Sequence, residues 1–99
     1  MHASQLADLQ AFATVARLCS FRKAAVEMGV TPSALSHTMR GLEARLGIRL
    51  LNRTTRSVSP TEAGQQLLAR LSPALLDIAS ALEEVNAFRD SPMGTLRIN

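Results

Sequence analysis

Apolar positions recur at helical spacing along most of the chain, and this pattern predicts a mainly α protein. Four segments follow it, over residues 5–18, 21–28, 31–47 and 61–88. Each begins near a hydroxyl side chain that can cap its first turn by accepting a backbone N–H: Ser4, Ser20, Thr31 and Thr61. Gly29 and Gly47 stand where the second and third helices should end, because glycine readily adopts the left-handed conformation that closes a helix.

The third helix carries two different faces. Its apolar stripe consists of Leu35, Met39, Leu42 and Leu46, and its polar stripe consists of Ser33, Ser36, His37 and Arg40. On an isolated helix such a polar stripe usually does no more than face solvent. Here only residues 29–31 separate it from the second helix, and two helices joined by a short turn that contains glycine are typical of a helix-turn-helix.

Two short extended runs follow the third helix, over residues 48–51 and 57–59. They predict a small β-hairpin, or wing, whose tip spans residues 52–56 and carries Arg53 and Arg56. Two arginines at such a tip suit a narrow, electronegative minor groove or its phosphates. The alternative is a polar loop in which the arginines occur by chance.

The long fourth helix carries a row of apolar residues spaced alternately three and four positions apart: Leu68, Leu71, Leu75, Ile78, Leu82 and Val85. We call this row the seam, because its spacing is that of a helix that packs along another helix. Since the rest of the chain is too short to cover it, we predict that a second copy does so in a homodimer. The alternative is that the seam packs on its own domain. Pro73 removes one backbone N–H and predicts a kink or local loosening.

Charge is unevenly distributed along the chain, although the net charge is only +3. Residues 17–56 contain eight cations and two acids, whereas residues 57–99 contain three cations and five acids. The basic half therefore predicts a polyanionic partner. Arg22 and Lys23, in the first turn of the second helix, either meet the phosphates of a crossing DNA backbone or are ordinary surface cations. A platform for stacking single-stranded bases is missing, because the sequence has no Trp or Tyr.

Other chemistries find little support in the sequence. There is no Gly-rich phosphate loop, and Ser36 and His37 are neighbours on a helix and so do not face each other. Cys19 is the only cysteine, and we interpret it as a small apolar residue in a reducing compartment. His2, His37 and Cys19 lack metal-ligand spacing, and no segment has the pattern of a signal peptide or a transmembrane helix. We expect a cytoplasmic, nucleoid-associated protein that is not an enzyme and holds no metal or cofactor.

A set of motifs at fixed spacing covers residues 20–64, SFRKAAVEMGVTPSALSHTMRGLEARLGIRLLNRTTRSVSPTEAG. It joins the helix-turn-helix to the LGIRLLNR entry of the wing and the TEAG start of the long helix. In this combination the chain resembles the N-terminal DNA-binding region of LysR-type transcriptional regulators. The resemblance implies a winged helix-turn-helix, three helices plus a β-hairpin wing, over residues 1–60 and a linker or dimerisation helix over residues 61–90. Residues 91–99 then form a hinge and the start of an effector-binding domain that is otherwise missing.

The resemblance also implies roles for individual residues. The positions that read bases are Thr31, Pro32, Ser33, Ser36 and His37. Arg40 lies further along the same face and meets phosphate, and Arg53 and Arg56 match the wing positions that reach the minor groove. Two residues depart from the pattern, because many members have Gln in place of Pro32 and Arg or Gln in place of His37. Pro32 has no N–H donor, and His37 can donate or accept a hydrogen bond. The operator sequences of other family members therefore do not carry over to this chain.

Members of this family are bacterial regulators that bind inverted-repeat operators as dimers or as tetramers made of dimers. Their C-terminal domains sense small-molecule effectors. The predicted function is therefore a transcriptional regulator that binds double-stranded DNA in a sequence-specific way. The alternative is a helical protein-interaction or dimerisation module without sequence-specific DNA binding. A titration with random duplex at low salt separates the two, because only the regulator binds the duplex.

Overall fold

The computed structural model of the chain describes residues 3–90, which form four helices and one two-stranded hairpin. The elements are α1 (Ala3–Leu18), α2 (Phe21–Met28), α3 (Pro32–Leu46), β1 (Leu51–Arg53), β2 (Val58–Pro60) and α4 (Glu62–Asp90). The mainly α winged helix-turn-helix followed by a long helix is thus confirmed. The predictions made for residues 91–99 and for His2 lie outside the described residues.

The ends of the helix-turn-helix follow the capping signals in the sequence. The Ser20 hydroxyl accepts the backbone N–H of Lys23 at 3.1 Å, and the Thr31 hydroxyl accepts that of Ala34 at 3.1 Å. Gly29 and Gly47 both end their helices with φ near 72°, in the left-handed region that favours glycine. The turn between α2 and α3 is therefore fixed at both ends, which sets the angle at which α3 leaves the core.

Two predictions about α1 are wrong. The helix begins at Ala3, so Ser4 lies inside its first turn and does not precede it as a cap. Cys19, expected to behave as a small apolar residue, is exposed. It follows the last turn of α1 with φ 52°, in the left-handed region of the backbone. Its thiol donates to the Ala16 carbonyl at 3.4 Å.

The core lies where α1, α2 and α3 meet, and the hairpin closes one end of it. Phe12 and Val15 of α1 are fully buried against Leu35, Met39 and Leu42 on the apolar stripe of α3. The helices approach closely because α2 contributes alanines at 24 and 25, both buried. Leu46, the last residue of that stripe, is 43% exposed, so the stripe is buried only as far as Leu42. The polar stripe of α3 lies on the opposite side of the helix.

The hairpin is antiparallel, with Leu51 paired to Pro60 and Arg53 paired to Val58. The first strand therefore starts at residue 51, not 48. Just before it, the backbone N–H of Leu50 is held by the Glu43 carboxylate, which also accepts the N–H of Leu51 at the start of the strand. This shift corrects the predicted tip. Arg53 lies in β1, and of the two wing arginines only Arg56 lies in the loop between the strands.

The N-terminal part of α4 packs against the wing and the core. The Thr61 hydroxyl accepts the N–H of Gly64 at 3.0 Å, as predicted for a cap. The same hydroxyl donates to the Arg49 carbonyl at 2.8 Å, and the Thr61 N–H donates to the Leu50 carbonyl at 2.9 Å. Pro73 lies inside α4, which continues through it as one helix. Beyond the core α4 projects outward, and the described chain measures 55 Å along its longest axis.

Candidate nucleic-acid interface

A groove of about 570 Å³ lies between the first turn of α2, the polar face of α3 and the hairpin. Five of the residues that line it are cationic: Arg22, Lys23, Arg40, Arg53 and Arg56. None of the lining residues is acidic, and the others that carry polar groups are Ser20, Ser36, Thr54, Thr55 and Ser57. We call this feature the basic groove. Its positive walls and hydrogen-bonding floor suit a phosphate backbone and the edges of bases.

The polar face of α3 is open to solvent at the end nearest the turn. Thr31, Pro32, Ser33 and His37 are exposed, and the partly exposed Ser36 lines the basic groove. Accepting the Ala34 N–H does not use the Thr31 hydroxyl proton, so this residue can cap the helix and donate outward at once. The five residues predicted to read bases therefore present their side chains, or the Pro32 ring, at one helix end.

Arg22 and Lys23 stand in the first turn of α2, on the other wall of the basic groove. Both side chains are exposed. Arg40 lies one helical turn beyond Ser36 on α3 and is exposed on the same wall. The three cations predicted to meet phosphate thus line one cavity on two different helices. Such an arrangement would suit a phosphate backbone that crosses α2 while α3 enters a groove.

A compact hydrogen-bonded turn forms the tip of the wing. The Thr54 N–H donates to the Ser57 carbonyl at 2.8 Å, and the Thr54 hydroxyl accepts the N–H of Ser57 at 3.0 Å and that of Arg56 at 3.3 Å. The local chain therefore fixes the loop without burying it. Arg56 is exposed at this tip, at the rim of the basic groove.

Arg53 differs from the other cations of the groove because it has partners inside the molecule. Its guanidinium donates to the Glu43 carboxylate at 3.3 Å and lies over the Phe21 ring, 5.2 Å from the centroid. Burial lowers the pKa of Arg53 below its ordinary value; Glu43 opposes the shift, and Arg40 and Arg49 add to it. The side chain stays protonated at neutral pH, as arginine does in proteins.

Sequence reasoning missed Glu43 and Phe21 as parts of this site. In the sequence Glu43 is one of two acids in a basic segment, and Phe21 has the position of an ordinary core residue at the start of α2. The signal that was available is the position of Glu43, four residues before Gly47 on the last turns of α3. A carboxylate there can reach back to the chain that leaves the helix, and it does so here.

The seam of α4 is divided between two environments. Leu68 and Leu71 pack against the core of their own domain, as the alternative interpretation expected, and Leu75 is partly covered. The remaining three seam residues are exposed: Ile78 at 42%, Leu82 at 59% and Val85 at 62%. A row of large aliphatic side chains open to water indicates a surface that another molecule covers.

Two other properties concern the described residues alone. Among residues 3–90, no three His, Cys, Asp or Glu side chains stand close enough together to hold a metal ion. Within the same range, no helix combines the length and the apolar character needed to cross a membrane.

Comparison with known sequences identifies relatives that share most of the chain. Residues 6–65 match the family model for bacterial regulatory helix-turn-helix proteins of the lysR family. A putative transcriptional regulator of Pseudomonas aeruginosa is 55% identical over 93 residues, which are 94% of this chain and 30% of that protein. The HTH-type transcriptional regulator PgrR of Escherichia coli is 50% identical over 98 residues, which are 99% of this chain and 33% of that protein. The chain therefore spans about a third of the length of these curated relatives.

Solved structures share the fold over most of the described residues. OxyR of Corynebacterium glutamicum, as a C206S mutant with bound H2O2, superposes with a TM-score of 0.79 at 34% identity, over 87% of this chain and 27% of that chain. The DNA-binding domain of BenM, in complex with catB site 1 DNA, superposes with a TM-score of 0.77 at 28% identity, over 87% of this chain and 96% of that chain.

Proposed function

Because the chain belongs to the LysR family of bacterial regulatory helix-turn-helix proteins, and is thus a DNA-binding domain of a transcriptional regulator, we propose how it reads DNA. It binds an inverted-repeat operator as a homodimer, with one α3 in the major groove of each half-site. The basic groove is the observation that carries this proposal, since it combines five cations with Ser36 on the polar face of α3 and has no acid in its lining. The complex of BenM with a duplex supports the same use of the fold.

The exposed end of α3 reads the bases. Ser33, Ser36 and His37 donate to or accept from base edges, which differ in donor and acceptor pattern for each base pair in the major groove. Thr31 donates its hydroxyl proton beside them. Pro32 has no N–H to offer and contributes an apolar contact, for which the methyl group of thymine is the matching surface.

The cations hold the duplex against this reading face. Arg22, Lys23 and Arg40 neutralise phosphates, which supplies most of the affinity and makes it fall with rising salt. Arg56 at the wing tip enters the adjacent minor groove, where a narrow A·T-rich groove concentrates negative potential. These contacts set orientation and register, while α3 sets sequence preference.

The exposed half of the seam joins two copies. Ile78, Leu82 and Val85 of each protomer cover those of the other, and the two reading helices are thereby held at a fixed separation. A dimer of this kind demands half-sites about one helical turn apart, or a multiple of it. The longer protein assembles further, into a tetramer made of dimers.

The chain divides by role in this proposal. Residues 1–60 read DNA, residues 61–90 dimerise, and residues 91–99 lead toward an effector-binding domain that senses a small molecule. No cofactor takes part in DNA binding, and the regulator acts on the bacterial chromosome, in the cytoplasm and at the nucleoid.

Selection of binding sites from a random duplex library tests this assignment. We expect an inverted repeat to emerge and Ser36→Ala to weaken binding to it by about tenfold, corresponding to one base contact of roughly 1–3 kcal/mol. The same variant should bind a scrambled duplex as the unchanged protein does. Arg22→Ala is the matched control, because removal of a phosphate-binding side chain weakens binding to both duplexes equally. If Ser36→Ala lowers both affinities by one factor, α3 does not read bases at that position.

A helical interaction module without sequence-specific binding is the second candidate. The exposed row of α4 is the observation that favours it, because that row would serve any apolar helix as partner. Such a module predicts no binding of a random duplex at low salt and no consensus from the library.

A further inference from the structure

Glu43 is the only acid of α3, and its side chain faces the wing and not the solvent. Its Oε2 atom accepts the backbone N–H of Leu50 at 2.8 Å and that of Leu51 at 3.0 Å. Oε1 accepts from the Arg53 guanidinium at 3.3 Å. One carboxylate of the reading helix thus holds both the chain that enters β1 and the residue that ends it.

Arg53 completes the connection to α2. Its guanidinium lies over the ring of Phe21, the first residue of that helix, and adjacent to Arg22 in sequence. The side chains of Arg53 and Glu43 are only 21% and 16% exposed, so water competes weakly for their interaction. Three elements of the basic groove therefore meet at one ion pair: α2 through Phe21, α3 through Glu43 and the wing through Arg53.

We propose that Glu43, Arg53 and Phe21 form a bracket that positions the wing against the reading helix, and that Arg53 acts on DNA through Arg56 and not as a separate DNA contact. The inference rests on the proposed function, in which Arg56 enters the minor groove. Arg53 pairs with Val58 across the hairpin, and the four-residue turn that carries Arg56 begins directly after it. Fixing the Arg53 side chain therefore fixes the base of that turn.

The direction in which Glu43→Gln changes DNA affinity shows whether Glu43 acts by positioning the wing or only by its charge. Glu43 is a negative group beside a surface proposed to bind a polyanion, so its neutralisation by Glu43→Gln should strengthen DNA binding if only long-range charge mattered. In the bracket, the substituted glutamine still accepts the two backbone N–H groups through its amide oxygen, but its NH2 group faces the Arg53 guanidinium as donor to donor. The bracket therefore predicts weaker binding, by about threefold to tenfold.

A double-mutant cycle on DNA affinity tests the role of Arg53. Fluorescence anisotropy with the selected duplex gives Kd for the unchanged chain, Arg53→Met, Arg56→Ala and the double variant. Positioning through Arg56 predicts that Arg53→Met weakens binding by about tenfold in the unchanged chain and by less than about twofold when Arg56 is already absent. Equal factors in both backgrounds would mean that Arg53 contacts DNA by itself and would overturn the proposal.

Motion of the free protein supplies a readout that does not depend on DNA. The 15N order parameters of residues 54–57 report motion of the wing tip on the picosecond to nanosecond timescale. We expect them to fall in Arg53→Met and in Glu43→Gln, and to stay unchanged in Arg49→Met, the control that removes an exposed cation from the same segment. If the order parameters of residues 54–57 are unchanged in both Arg53→Met and Glu43→Gln, the proposal is overturned, whether or not the chain binds DNA. Should Arg53→Met fail to fold, Glu43→Gln decides the question by the same two measurements.

Discussion

At Gly64, helix propensity and the packing of α4 predict opposite effects of substitution by alanine on the stability of the fold. Glycine inside a helix is less favourable than alanine by about 1 kcal/mol, so propensity alone predicts that Gly64→Ala stabilises α4. A Cβ atom built at residue 64, however, would stand 2.2 Å from the Leu50 carbonyl oxygen and 3.2 Å from Cβ of Pro60. An ordinary contact between carbon and oxygen is about 3.3 Å, so α4 and the wing entry must separate by about 1 Å.

That separation breaks interactions as well as creating strain. The Thr61 N–H bond to the Leu50 carbonyl, now 2.9 Å, would lengthen beyond hydrogen-bonding distance, at a cost of about 1 kcal/mol. Overpacking of a close contact costs about 1–3 kcal/mol more. Together these costs outweigh the gain in propensity, and we expect the free energy of unfolding to fall by about 2 kcal/mol.

Urea unfolding followed by circular dichroism at 222 nm measures this change, with protein concentration held constant because the proposed dimer would make stability depend on it. Gly41→Ala is the matched control, since its Cβ would meet only the end of the Arg45 side chain, at an ordinary 3.7 Å. We expect Gly41→Ala to raise stability by about 0.5–1 kcal/mol. If Gly64→Ala also raises the urea midpoint, the close packing of α4 on the wing entry is wrong.

Two further predictions address the seam and the phosphate contacts. Leu82→Glu places a charge in the exposed half of the seam and should shift the protein from dimer to monomer in sedimentation equilibrium without unfolding it. Ser80→Glu, which lies off the seam, should leave the dimer intact. If both variants are dimers, the seam is not the dimer interface. Lys23→Ala should make the slope of log K for DNA binding against log salt concentration shallower by about 0.9, the value for one phosphate that is no longer neutralised. The selected consensus sequence should not change. An unchanged slope would mean that Lys23 binds no phosphate.

The helix-turn-helix was predictable because its signals are local. Thr31 and Gly47 delimit α3 by capping chemistry that depends on only a few neighbouring residues, and the structure places both as the sequence indicated. The apolar stripe of α3 likewise follows from periodicity alone, since Leu35 and Leu42 can reach a core from one face only.

The wing was predicted less well because its position depends on contacts between distant residues. β1 starts only at Leu51, and the Glu43 carboxylate accepts the backbone N–H groups of Leu50 and Leu51 where the chain enters that strand. No period or turn signal in residues 48–51 encodes that contact. The environment of Arg53 depends in the same way on Phe21, thirty-two positions earlier in the chain. The division of the seam was also hidden, because Leu68 and Leu82 have equivalent places in the heptad pattern but different surroundings in the fold.

In the proposed assembly, two copies joined along α4 hold their reading helices at a fixed separation on DNA. It is tested most directly by titrating the selected inverted repeat against duplexes in which 5 or 10 base pairs are inserted between the half-sites. Because B-DNA turns once in about 10.5 base pairs, an insertion of 5 places the half-sites on opposite faces of the helix. We predict that the insertion of 5 base pairs lowers the affinity at least tenfold, toward that of a single half-site. Equal affinity for the unaltered repeat and the 5-base-pair insertion would contradict the claim.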